Sequence, residues 1–231
     1  MVKRILGIVI ISLQIIHAQE IQTEKTSLEF IPTYSKKNYS LNDSILLENK
    51  NLTLSVFKFY VSNIKFIKGN QTVWEENNSY HLIEMNTDKH SKLSFDLPTY
   101  LKYDQIQFQL GIDSLTNVSG AMGGDLDPTK GMYWTWQSGY INVKMEGYCS
   151  TCNTRNHQFE FHLGGYLPPF QSIQTILLPL TKSKKIEIGV DFINLLNSIE
   201  LSKECNIMSP GQKAKNMSEK AATMFYILSN E

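Results

Sequence analysis

No stretch of this 231-residue chain holds enough consecutive apolar side chains to span a bilayer as a helix, which takes roughly 20. The nearest approach runs from Ile5 to Ile16, interrupted by Ser12 and Gln14, behind Met1-Val2-Lys3-Arg4 and ahead of His17-Ala18-Gln19. A basic start, a short apolar core and a small residue make a secretory signal, with cleavage expected after Ala18. Residues 1–18 are thus expected to be removed and 19–231 to form one domain, a size that suits a single all-β unit. No Cys follows the apolar run, so no lipid anchor of the bacterial kind is expected. The expectation is a soluble periplasmic or secreted protein.

An excess of one charge is also lacking. The 22 basic and 22 acidic side chains balance and are scattered, so nothing in the sequence marks a surface for nucleic acid or an anionic membrane. Enzyme signatures are missing as well: there is no Gly-x-Ser-x-Gly, no His-Glu-x-x-His and no phosphate loop, and the expectation is a protein without catalytic turnover. Cysteine is scarce. Cys149 and Cys152 form a Cys-x-x-Cys and Cys205 stands apart, so one sulfur is left over whichever pair forms. A thioredoxin-like role needs a βαβ context that the pattern does not offer. A tight disulfide or free thiols in a loop is one reading; a soft metal site with His or Met nearby is the other.

What is present reads as strands. Ile106, Phe108, Leu110 and Ile112 alternate with Gln105, Gln107 and Gln109, the mark of an antiparallel strand with one wet face. Less regular alternation marks Leu28 to Ile31, Leu52 to Phe57, Phe57 to Phe66, Tyr80 to Met85, Phe159 to Leu163 and Ile173 to Leu180, separated by Asn, Gly, Lys and Pro clusters. Many short strands without a βα rhythm predict an all-β fold, an antiparallel β-sandwich or barrel-like domain with one or two short C-terminal helices. The first helix is expected after Asp191, with Phe192, Leu195, Leu196 and Ile199 on one face. The second is expected from Ser209-Pro210-Gly211-Gln212, with Ser209 capping and Gln212 closing a capping box, and with Ala214, Met217, Ala221, Met224, Phe225 and Leu228 as its buried stripe.

The least ordinary stretch runs from Gly111 to Tyr148. Asp127-Pro128-Thr129-Lys130-Gly131 has turn chemistry and leads into a strand beginning at Met132, in which Met132, Trp134 and Trp136 share a face. Beyond Gly139 the apolar residues Ile141, Val143 and Met145 have switched parity, which a β-bulge near Ser138-Gly139 would reconcile. In Phe159-Glu-Phe-His-Leu-Gly-Gly, His162 lies on the face opposite Phe159, Phe161 and Leu163, ahead of two glycines that permit close backbone approach. It is either a surface histidine on a wet sheet face or an imidazole held over a cavity.

Phe57-Lys-Phe-Tyr-Val-Ser-Asn-Ile, Gly111-Ile-Asp through Leu126-Asp-Pro, Gly131-Met-Tyr-Trp-Thr-Trp-Gln-Ser-Gly-Tyr, Phe161-His-Leu-Gly-Gly and Met208-Ser-Pro-Gly form a set of blocks. Together they resemble the MbnP-like copper-binding proteins, the methanobactin-associated MbnP-like domain. They come in the family's order and span nearly the whole mature chain. The resemblance implies an exported β-rich protein that binds copper. It also implies a partner, an MbnH-type di-haem peroxidase-like protein that oxidises a Trp to kynurenine, the modified Trp and His side chains forming the copper site. His162 matches the family's His-Leu-Gly segment, and Trp134 and Trp136 match its Trp-x-Trp strand. Cys205, just ahead of Met208, and His81 are further candidate ligands, whereas His90 and His157 sit in polar, loop-like surroundings. Relatives with four cysteines are not matched here. If the resemblance fails, the Trp134 and Trp136 face is the natural contact for a non-metal ligand or a protein partner.

Overall fold

The computed structural model describes residues 21–47, 49–85, 92–136 and 139–230, with the side chains of 229 and 230 left aside. The expected signal segment, His90 and Ser138 lie outside these residues. In chain order the strands are β1 (Thr23–Tyr34), β2 (Lys37–Asn38), β3 (Ser44–Leu47), β4 (Lys50–Lys68), β5 (Gln71–Glu75), β6 (Tyr80–Glu84), β7 (Lys92–Pro98), β8 (Gln105–Leu110), β9 (Tyr133–Trp134), β10 (Gly139–Cys149), β11 (Gln158–Gly164), β12 (Gln174–Pro179), β13 (Lys185–Asp191), β14 (Asn206–Ile207) and β15 (Phe225–Asn230). The helices are α1 (Ser114–Val118), α2 (Ile193–Asn197) and α3 (Gln212–Ala221).

Two sheets face each other. The smaller runs β15-β13-β1-β2, with β7 also on β1; the larger runs β12-β8-β4-β10-β11-β14. The β4 strand, 19 residues long, organises the larger sheet by taking β3, β10, β6, β8 and β5 as partners at successive points along its length. The sheet therefore curls. Its concave side and the smaller sheet enclose the main core, where Phe30, Phe59, Phe108 and Phe225 meet edge to face with ring centroids 5.3–5.9 Å apart. Most pairings are antiparallel, as the alternation at residues 105–110 predicts, but β1 with β13 and β11 with β14 are parallel.

Four sequence expectations change in detail. Leu52 to Phe57 and Phe57 to Phe66 form one strand, β4, rather than two. The parity change after Trp136 marks a hairpin, since β9 and β10 pair with Gly139 opposite Trp134. The bulge sits further along, between Ile141 and Val143. It sends Tyr140 and Ile141 to the outer side of the sheet and Val143 and Met145 to the main core. At the C-terminus the second helix ends at Ala221, and Phe225, Tyr226 and Ile227 pair with β13 as β15. Side chains that favour strands, next to an open strand edge, outweigh the helical spacing of Met224 and Leu228. The expected Ser209 cap is also absent: Gly211 precedes α3 and makes no side-chain cap. Asp191, by contrast, does serve the start of α2, its carboxylate accepting from the Ile193 amide (3.2 Å) while also holding the Ser35 and Lys36 amides of the β1–β2 turn.

Candidate metal centre

Residues 111–136, between β8 and β10, fold over the convex side of the larger sheet and create a second, smaller core there. Its members are Tyr60, Leu82, Ile112, Leu126, Met132, Trp134, Tyr140 and Ile141. Polar side chains pin the cover. Asp125 accepts from the Leu82 amide (3.0 Å) and pairs with Lys130 (2.6 Å), and the Tyr60 hydroxyl donates to the Asp125 carbonyl (3.0 Å). Buried Asn117 donates to the carbonyls of Ile112 and Asp113 and accepts from the Tyr140 amide (2.8 Å). Burial and the phenol of Tyr140 push the Tyr60 hydroxyl well above the usual tyrosine range, so it stays neutral. Asp127 caps the turn at Thr129 (2.8 Å) and Gly131, at φ 73°, takes the left-handed conformation that swings the chain into β9.

This cover delivers Trp134 to a definite place. A side-chain atom built on Gly164 would stand 2.6 Å from Cζ3 of the Trp134 ring, so the indole lies directly on the glycine backbone of β11. Trp136 follows on the outside, 65 % exposed, its ring centroid 5.8 Å from that of Trp134. His162 lies two residues before Gly164, one pleat along the same strand face. That face is the convex one, because directly paired residues share a face and His162 pairs with Lys144, Lys144 with Lys58 and Lys58 with Glu84.

The His162 ring is nearly buried, at 7 % exposure, and its Nε2 sits 2.8 Å from Oε1 of Glu146. Lys144 approaches the same carboxylate oxygen at 3.1 Å. Hydrogen bonding to His162, with help from Lys144, outweighs burial and holds the Glu146 carboxyl down at about 2. Glu146 is therefore ionised at neutral pH and can only accept, which puts the imidazole proton on Nε2. In the neutral ring the lone pair is then on Nδ1, and no described residue hydrogen-bonds that atom. A carboxylate that fixes the far nitrogen of an imidazole is the arrangement that orients metal-binding histidines. Imidazole nitrogen suits copper. An unmodified indole does not, since its N–H is a donor only.

Other sequence candidates fall elsewhere. His81 pairs with Val61, a main-core residue, and so lies on the concave face, its Nε2 2.7 Å from Glu76. Cys205 precedes β14 and is buried in the main core beside Cys152, its thiol donating to the Leu201 carbonyl (2.8 Å). His157 is exposed, its Nδ1 in contact with the Cys152 carbonyl and its ring edge-on to Tyr148. The fold thus lays Trp134 on the strand that carries His162, with Trp136 against the outer side of Trp134, and does not bring His81 or Cys205 there. Among the described residues no group of three or more His, Cys, Asp and Glu is placed to hold a metal ion.

Two features escaped the sequence reading. Lys144 and Glu146 alternate on the polar side of β10 just as His162 does on β11, but only the register makes them neighbours. The second is a pocket of about 400 Å³ beside Trp134, walled by Tyr166, Leu167, Pro169, Phe170 and Pro210. Gly165, at φ 132°, begins its loop, and a side chain there would meet the Phe170 carbonyl at 2.6 Å. Ser172 closes the loop by donating through its amide and hydroxyl to the Gly165 carbonyl.

Among the described residues no helix is long and apolar enough to cross a membrane. Comparison with curated proteins finds no match. Among solved structures the chain is similar to MbnP from Methylosinus trichosporium, with a TM-score of 0.62 and 14 % identity over 79 % of this chain and 80 % of that one. At that identity the likeness speaks for the fold. The family model for MbnP matches residues 23–212, which include the larger sheet, every strand of the smaller one but β15, the cover over the convex face and the His162 strand, and the chain belongs to the MbnP family.

Proposed function

We propose that this protein is an exported copper-binding protein of the periplasm that stores, scavenges or hands on the metal without turning over a substrate. The observation that carries this reading is the His162 imidazole, nearly buried on the strand face where Trp134 rests on Gly164, with Nε2 tied to Glu146 and Nδ1 left as a lone-pair donor. Membership of the MbnP family supports it. His162 would hold the ion through Nδ1, and Glu146, backed by Lys144, would fix the ring. One imidazole does not complete a copper site, and the paired indoles need chemical change before they can contribute. Oxidation of a Trp to kynurenine by an MbnH-type di-haem partner would supply an amine and a carbonyl oxygen. Trp136 is the ring such a partner reaches from outside, and Trp134 is enclosed.

Anaerobic Cu(I) titration against a competing chromophoric chelator tests this. The wild-type protein is expected to withdraw copper, Glu146→Gln to bind about 10- to 100-fold more weakly, as loss of a carboxylate behind a ligating histidine does, and His162→Ala to lose the site. A wild-type protein that leaves the chelator fully loaded, both with and without the Trp modification, rejects the proposal. A second reading rests on the pocket: its size and largely apolar walls suit a small non-metal ligand or a side chain of a protein partner. Ligand-dependent change in Trp fluorescence without copper, abolished in Trp134→Ala, would favour that reading.

A further inference from the structure

We propose that Cys152 and Cys205 form a disulfide in the exported protein, clamping the β10–β11 turn to the C-terminal segment and leaving Cys149 as a buried free thiol. In the structure all three cysteines are free and buried within the main core. Cys149 ends β10, and Cys152 lies in the turn that follows, its amide donating to the Cys149 carbonyl at 2.9 Å. Cys205 immediately precedes β14, whose partner is β11, and the Glu160 amide donates to the Cys205 carbonyl at 2.8 Å.

Strand order decides which pairs can form. In β10-β11-β14 the strand β11 runs between Cys149 and Cys205. Two strand spacings separate the outer cysteines by roughly 9–10 Å, beyond the ~7 Å limit between the Cα atoms of a disulfide. Buried Phe159, next to the Glu160 that bonds Cys205, lays its ring over Gly147 of β10. Cys152, carried by the turn, is the cysteine that has the thiols of both others as neighbours. The Cys149 thiol also points toward the Thr151 hydroxyl, at 3.3 Å.

Chain entropy favours the same choice. A bond between Cys149 and Cys152 closes a minimal loop, whereas Cys152 to Cys205 closes more than fifty residues and restricts the unfolded chain far more. Burial among the other thiols pushes the Cys152 thiol up, so it is a poor nucleophile once enclosed. The bond therefore forms while the chain folds. A thiolate of one cysteine attacks a disulfide oxidant RSSR, releasing RSH, and the second thiolate displaces the other RS group, so two thiols are oxidised, one disulfide is reduced to two RSH, and the protein loses two hydrogens. The clamp also anchors the segment leading to Pro210, which walls the pocket beside Trp134.

The test is to refold the mature chain with a mixture of oxidised and reduced glutathione, denature and alkylate it at mildly acidic pH, and map the tryptic peptides without reduction. The expected product joins the peptide 145–155 to 204–213, with the alkyl group on Cys149. A 145–155 peptide closed on itself with alkylated Cys205, or three alkylated cysteines, overturns the proposal. Cys149→Ser is expected to keep the linkage, Cys205→Ser to divert it to Cys149 and Cys152, and Cys152→Ser to form no internal disulfide. A Cys149–Cys205 bond in that last variant would contradict the geometry. The wild-type map alone decides the matter should any variant fail to fold.

Discussion

Replacing Gly164 by alanine is the sharpest probe of how the Trp134 site is built. Alanine in a strand ordinarily stabilises relative to glycine, by roughly 0.4–1 kcal/mol, because it restricts the unfolded chain. Here the added methyl would sit 2.6 Å from the Trp134 ring and 2.6 Å from the Tyr140 carbonyl oxygen. The ring is boxed between the cover and β11, and the carbonyl belongs to a strand, so neither can retreat alone. Overpacking of this kind costs about 1–3 kcal/mol, which for a domain of this size lowers Tm by roughly 2–12 °C at about 2–4 °C per kcal/mol. Thermal unfolding followed by circular dichroism, alongside Trp emission, measures it. Gly123→Ala is the control: a methyl there meets nothing within 4 Å and the backbone is extended, so that variant should be unchanged or slightly more stable. If Gly164→Ala matches the control, the indole does not rest on β11 as described.

Further outcomes follow from the same geometry. Trp134→Ala should destabilise by about 3–5 kcal/mol as a buried aromatic, while exposed Trp136→Ala should stay within about 0.5 kcal/mol in chemical denaturation. Asn117→Ala strips partners from the Tyr140 amide and the Ile112 carbonyl, and a loss of about 1–3 kcal/mol for each stranded group is expected in the same assay. The Glu146 carboxyl is held at about 2 instead of 4.5, so its contribution is complete above the unfolded value and fades as pH falls from 4.5 toward 2. Unfolding curves across that window should be steeper in pH for the wild type than for Glu146→Gln; equal slopes would remove Glu146 from the account.

The β8 strand, the His162 strand and the Asp191 helix start were legible because each depends on side chains close in sequence. Periodicity placed His162 on the face away from Phe159 and Phe161, and that face is where it lies. What sits over that face was not legible. The cover of residues 111–136 turns part of an outer sheet surface into a second core, and His162, on the wet side of the alternation, is nearly buried. The Trp134 and Gly139 pairing read as one bulged strand because two short strands of a hairpin, like two halves of a bulged strand, differ in parity. Met224, Phe225 and Leu228 carried helical spacing while Phe225 to Ile227 carried strand-type side chains, and the neighbouring edge of β13 decided between them. Contacts between Glu146 and His162, or Cys152 and Cys205, depend on register and strand order, which alternation does not encode.

The measurement that bears most directly on the central claim is the copper content of the protein purified from its native periplasm, set against His162→Ala prepared identically. Near-stoichiometric copper in the wild type that falls sharply in the variant is the predicted result. Copper retained undiminished by His162→Ala would contradict the site, and no copper in either protein, even after Cu(I) loading, would contradict the function.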